Sequence, residues 1–177
     1  RVGPSVGAVS LLQIQATKLY DTLLNALLNI ESSQIVSIHA KALDQGAALK
    51  TVKRKLSDLD KAKIDEQKRA VRSGFDMDIL PPDLVTFGKE AEKLLEDLQN
   101  HDEKMFMVTI LLVHTAPTKQ KLENIIYSVN GIANANNCNL IRLDYQQEQG
   151  FVSALPLGLN QVAVQRGLTT SGTAIFM

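Results

Sequence analysis

Near the end of the chain, Gly167 and Gly172 stand five positions apart in GLTTSGTA, the glycine spacing of a phosphate-cradling loop. Such a loop also needs a lysine directly after the second glycine, to reach the outer phosphates, and then a serine or threonine to hold magnesium. Thr173 and Ala174 occupy those places, so both groups that touch charge are missing. The stretch reads instead as a plain turn before a final strand. The titratable candidates are scattered. His39 falls on the wet face of a strand, His101 lies in the turn NHDEK and His114 ends an apolar run, so none stands at helical spacing from another ligand, as a metal site requires. Cys138, the single cysteine, has no second thiol and no histidine nearby in sequence. Asp76 and Asp78 sit in a proline-containing linker, where turn chemistry accounts for two carboxylates without acid/base work. With no Gly-x-Ser-x-Gly elbow either, the expectation is a chain without enzymatic activity, cofactor or metal of its own.

Charge offers a second kind of chemistry, binding. The chain has 177 residues with 19 basic and 19 acidic side chains, so no global field steers it toward nucleic acid or anionic lipid. Locally the balance differs. Between residues 50 and 72, Lys50, Lys53, Arg54, Lys55, Lys61, Lys63, Lys68, Arg69 and Arg72 outnumber Asp58, Asp60, Asp65 and Glu66. The following helix leans the other way, with Glu90, Glu92, Glu96 and Asp97 against Lys89 and Lys93. No aromatic residues interleave the basic run to stack on bases. A solvated face partly neutralised by its neighbour is the plain reading. The functional alternative is a stand-alone module contacting nucleic acid or an acidic protein through Lys50, Lys53, Arg54, Lys61, Lys68 and Arg72.

The elements that must carry these residues follow from periodicity. At 45% hydrophobic and 21% charged, the chain can fill one core, and no apolar run reaches membrane-spanning length. Leucines recurring through Leu12, Leu19, Leu23, Leu27 and Ile30 predict a helix over residues 11–30. QIVSIHAKA alternates like a strand with one wet face. Asp44 caps a long helix that Gly74 ends; after FDMDILPPD, which two prolines keep out of helix, Leu84 to Leu98 mark another. KMFMVTILLVH reads as a central strand covered on both faces, Thr118 opens a helix reaching the Asn-rich turn near Asn136, and NLIRLDY supplies a further strand. This order predicts an α+β fold, a mixed sheet with helices packed mainly on one side in a ferredoxin-like sandwich, plus an N-terminal helix.

The tail carries a resemblance. Gly150, Phe151, Ser153, Leu155, Pro156, Leu157, Gly158, Asn160, Arg166, Leu168, Thr169, Thr170, Ala174 and Phe176 fall, in order, on a Gly-Phe-x-Ser-x-Leu-Pro-Leu-Gly-x-Asn segment followed by an arginine, a Leu-Thr-Thr and an apolar stretch. In this the chain resembles the large conjugative-transfer ATPases of type IV secretion systems, in the versions carried by integrative elements and plasmids of Gram-positive bacteria. The resemblance spans residues 33–177, with the helices upstream of the tail matching in layout alone.

The resemblance implies the region before a RecA-like motor. ATP and magnesium would belong to that motor in the parent protein and not to this chain. Other subunits of the same ATPase, in a homo-oligomer up to a hexamer, and membrane channel components would be partners, at the cytoplasmic face of the cell membrane; direct DNA contact is not implied. The organisation expected is an N-terminal helical extension at 1–32, an α+β assembly domain at 33–150 and a junction at 151–177 leading to the motor. Starting at Arg1 and stopping after AIFM, the chain also reads as a piece of a longer protein. Leu155, Pro156, Leu157, Gly158, Asn160, Arg166, Thr169 and Thr170 are the expected interaction and junction residues. Pro156 would stiffen the segment and Gly158 permit a sharp turn, with the apolar residues buried against the sheet.

Overall fold

A computed structural model describes residues 3–15, 22–74, 80–100 and 103–176. In chain order the elements are β1 (Val6–Ile14), α1 (Thr22–Leu28), β2 (Ser33–Ala42), α2 (Gln45–Arg72), α3 (Pro82–Asn100), β3 (Met105–Ala116), α4 (Lys119–Ala135), β4 (Cys138–Arg142), α5 (Gln147–Ala154), β5 (Arg166–Thr169) and α6 (Thr170–Ala174). Contacts gather them into two units, Arg1–Lys41 with Phe106–Met177, and Ala42–Met105.

The first unit is built on an antiparallel sheet of order β2-β3-β1-β4, with β5 joined to β3. β1 pairs with β3 from Val6 opposite Ala116 to Leu11 opposite Leu111, and with β4 from Ser10 opposite Arg142 to Ile14 opposite Cys138. With α2 and α3 set aside as an insertion, strand-helix-strand-strand-helix-strand in this order is the ferredoxin-like arrangement. The α+β class read from the sequence is the one the protein has, while the sheet, expected to be mixed, is antiparallel.

Strand alternation divides the core between the two faces. On the first face, Leu12 and Ile14 of β1 and Val108, Ile110 and Leu112 of β3 meet Leu23 and Leu27 of α1 and Val129 and Ala133 of α4. On the second, Val9, Leu11, Leu111 and Val113 meet Leu143, Ala154 and Val162, with Phe151 packed against them. Burying each such leucine or valine contributes about 1.5–3 kcal/mol before entropy is counted.

Two expectations are corrected. The helix expected over residues 11–30 begins as β1, and among the described residues the helix of this stretch is Thr22–Leu28. Ala8, Val9, Leu11, Leu12 and Ile14 are buried on both faces of a strand with a neighbour on either side, and a run apolar on both faces does not declare its period. Leu19, part of the expected stripe, lies outside the described residues, as do His101, Asp76 and Asp78. The final strand expected after GLTTSGTA is absent from the described residues: Gly167 to Thr169 are in β5, and the next residues turn into α6. Thr169 caps that turn, its Oγ1 accepting from Gly172 N–H at 3.3 Å, while Thr173 Oγ1 donates to the Thr169 carbonyl at 2.9 Å.

The second unit is an αα-hairpin. Asp44 caps α2 through Oδ2, which accepts from Gly46 N–H at 3.0 Å and Ala47 N–H at 3.3 Å. Beyond the other end, Gly74 takes φ +75°, where a side chain would be strained. Ala48, Val52, Leu98 and Met105 form its buried core, and the Leu43 N–H donates to the Met105 carbonyl at 2.8 Å. Pro82 was expected to stay out of helix and instead occupies the first turn of α3, where its missing N–H costs no intrahelical bond.

Candidate functional site

The residues on which the resemblance rests lie on and after α5, and Gly150, Ser153 and Asn160 among them fasten the segment, together with Gln147 just ahead of them. Gln147, in the first turn of α5, inserts its side chain into β1: Oε1 accepts from Val9 N–H at 2.7 Å and Nε2 donates to the Val9 carbonyl at 2.9 Å. The amide thus imitates one more residue of a strand. Three residues on, Gly150 is set so tightly that a Cβ would lie 2.7 Å from Leu143 Cδ1 and 3.0 Å from Val9 Cγ1. Ser153 is fully buried; its Oγ donates to the Gln149 carbonyl at 2.7 Å and accepts from Gln161 N–H at 2.8 Å. Its carbonyl takes a hydrogen bond from His39 Nε2 of β2 at 2.7 Å.

Past α5 the chain turns outward and returns. Leu155 is half-buried, Pro156 to Leu159 are exposed, and Gly158 supplies the turn with φ +69°. The loop comes back at Asn160, whose Nδ2 donates to Thr109 Oγ1 at 3.0 Å and whose Oδ1 accepts from Val162 N–H at 3.0 Å. Thr109, buried on β3, donates through its hydroxyl to the Val164 carbonyl at 3.1 Å. The expectation that the apolar residues of LPLGLN bury against the sheet is therefore corrected: Leu157 and Leu159 point to solvent, and Ala154 and Val162, on either side of the loop, do the packing. Gly158 and Asn160 explain why, since one turns the chain away and the other pins its return. Arg166 is exposed at the start of β5, Thr169 is the cap of α6 and Thr170 is exposed beside it.

Lys50, Lys53, Arg54, Lys61, Lys68 and Arg72 are all exposed on α2. Lys50, Arg54, Lys61, Lys68 and Arg72 recur at spacings of four and seven, so they share the side of the helix opposite the buried Val52. Acidic neighbours on α2 temper this stripe, with Lys61 near Asp58 at 3.8 Å and Arg69 bonded to Glu66 at 2.9 Å. Exposed pairs of this kind contribute little to stability.

The remaining titratable candidates are apart from one another. His114 is wholly buried on β3 with neither ring nitrogen hydrogen-bonded, and burial lowers its pKa to about 4. Cys138 is buried on β4; burial pushes its thiol up against the opposing effect of a backbone hydrogen bond involving Gln15, leaving little thiolate for reaction. Among the described residues no three His, Cys, Asp or Glu side chains come together as a metal site, and no helix is long and apolar enough to cross a membrane. Sequence reasoning missed Gln147, which no local pattern marks. No family model and no curated protein matches the chain.

Proposed function

We propose that this chain is the non-catalytic assembly domain of a type IV secretion or conjugative-transfer ATPase. It holds subunits together and meets membrane channel components at the inner face of the membrane, while a separate RecA-like motor binds ATP and magnesium. The observation that supports this reading is the division of labour in the tail. Gly150, Ser153 and Asn160 fasten the segment to the sheet, and the loop between them presents Leu157 and Leu159 to solvent. Residues with structural work and an apolar tip suit docking better than chemistry. The test is the gene itself, read past the codon for Met177. A Gly-x-x-x-x-Gly-Lys-Ser/Thr loop downstream is expected, and an immediate stop codon would overturn the reading.

A second reading keeps one specific observation, the one-sided stripe of Lys50, Arg54, Lys61, Lys68 and Arg72. It makes α2 a contact for nucleic acid or an acidic protein, with binding that falls steeply as salt rises. Binding to duplex or single-stranded DNA at low salt, weakened by Lys50→Ala, Arg54→Ala and Lys61→Ala together, would favour it. No detectable binding at low salt would remove it.

A further inference from the structure

We propose that copies of this chain join head to tail through their sheets, β2 of one copy pairing with β4 of the next. The proposal deepens the assembly reading above by naming the surface and the partner, a second copy. β2 and β4 are the two ends of the sheet's main path, and among the described residues each has a strand on one side only.

The backbone of β4 is arranged for pairing. Leu143 N–H donates to the Val9 carbonyl and Gln15 N–H to the Asn137 carbonyl, both at 3.1 Å, which makes the odd-numbered residues of this register the ones bonded to β1. By antiparallel alternation, Leu140 turns its N–H and carbonyl to the open edge. No proline interrupts β4, and its one charged residue, Arg142 at the strand's end, is drawn into ion pairs with Glu123 at 2.9 Å and Asp144 at 3.4 Å.

Strand direction favours a second copy set side by side. The main path has an even number of strands alternating in direction, so β2 and β4 run opposite ways. A neighbour that is translated or rotated, without being turned over, therefore lays its β2 antiparallel on β4 and keeps its helices on the same face.

The exposed apolar side chains match across such a seam, face by face. On the helix-covered face, Tyr127 of α4 is 82% exposed and Leu28 of α1 is 58% exposed. Tyr127 borders a groove of about 440 Å³ that Ile126, Leu140 and Arg142 also line. The end of α1 is tied to β2 by Gln34 Nε2 donating to the Leu27 carbonyl. On the other face, Ile141 of β4 is 38% exposed and stands opposite Leu11, and Ile35 of β2 is 48% exposed and alternates with Val36, which packs on the first face. Each edge thus offers one apolar residue per face. A head-to-tail contact leaves one free β2 and one free β4 at the ends, so it either closes into a ring or extends.

Two variants test this. One carries Tyr127→Lys and Ile141→Lys, spoiling the β4 edge; the other carries Leu28→Lys and Ile35→Lys, spoiling the β2 edge. All four positions are exposed, and far-ultraviolet circular dichroism checks that both variants stay folded. A control, Ile64→Lys with Val71→Lys, adds the same charge at exposed positions of α2. In sedimentation velocity the unmodified chain and the control are expected to self-associate with concentration, and each edge variant to remain monomeric. Mixed together, the two edge variants should form a one-to-one dimer and nothing larger, because each keeps one intact edge. A chain that stays monomeric to about 500 μM, a concentration that would populate even weak complexes, overturns the proposal. So does a β2-edge variant that still dimerises alone, which would mean β4 pairing with itself, and so does association that ignores both edge variants. That last outcome leaves the assembly reading standing, whereas a stop codon after Met177 ends that reading without touching the edge result.

Discussion

His39 Nε2 lies 2.7 Å from the carbonyl oxygen of Ser153, joining β2 to the last turn of α5 across 114 positions of sequence. The carbonyls at a helix end lack intrahelical partners, so this bond satisfies a group that burial would otherwise penalise. His39→Ala is expected to cost about 1 kcal/mol, read as a lower urea midpoint at unchanged slope, with faster amide exchange concentrated at Leu155 and Gln161. His39→Gln, which keeps a donor, should recover part of the loss. Uniform acceleration across the sheet would contradict a local tie.

Gly150 leaves no room for a methyl group between Leu143 and Val9. Gly150→Ala should therefore destabilise by about 1–3 kcal/mol through overpacking, although alanine is the better helix former. Thermal unfolding decides it: a raised midpoint would mean that propensity outweighs the clash.

Asn160 and its neighbours in the loop should behave in opposite ways. Asn160→Ala removes two hydrogen bonds and leaves Thr109 and Val162 less satisfied, for an expected loss of about 1–3 kcal/mol. Leu157→Ser and Leu159→Ser remove nothing buried and should stay within about 0.5 kcal/mol of the parent. Comparable losses at all three positions would show that the loop tip packs.

His114 predicts a pH dependence. Its folded pKa, lowered to about 4 by burial, lies below the 6.5 of the unfolded chain. Between those values the unfolded state binds the proton and the folded state does not, so stability falls as pH falls from 6.5 toward 4. The accumulated loss is about 3 kcal/mol, from roughly 1.4 kcal/mol per pH unit. His114→Leu should flatten that window and also remove two unpartnered nitrogens. Denaturant midpoints at pH 7 and pH 4.5 for both proteins provide the comparison, and equal pH slopes would refute the assignment.

What the sequence made legible was local. Asp44 and Thr118 announced the starts of α2 and α4 because a cap acts within three residues, and the unbroken apolar run of β3 announced a central strand. β1 was misread because its buried residues face both ways and so match a helix as well as a strand. Gln147 and Ser153 were illegible as fastenings for another reason. Their partners Val9 and His39 lie more than a hundred positions away, and a part-buried hydrogen bond between a helix and a distant strand leaves no spacing to detect.

The insertion of α2 and α3 between β2 and β3 has a consequence for how the chain finds its fold. Its two ends meet where Leu43 bonds to Met105, and its helices pack on one another through Ala48, Val52 and Leu98. A hairpin that forms first would bring Leu43 and Met105 together, so that β2 and β3 zip as if joined by a short turn instead of a long loop. By the same reasoning the insertion is an excisable cassette. Replacing residues 44–104 with a tight turn should leave a smaller sheet domain whose strands close without the longer wait.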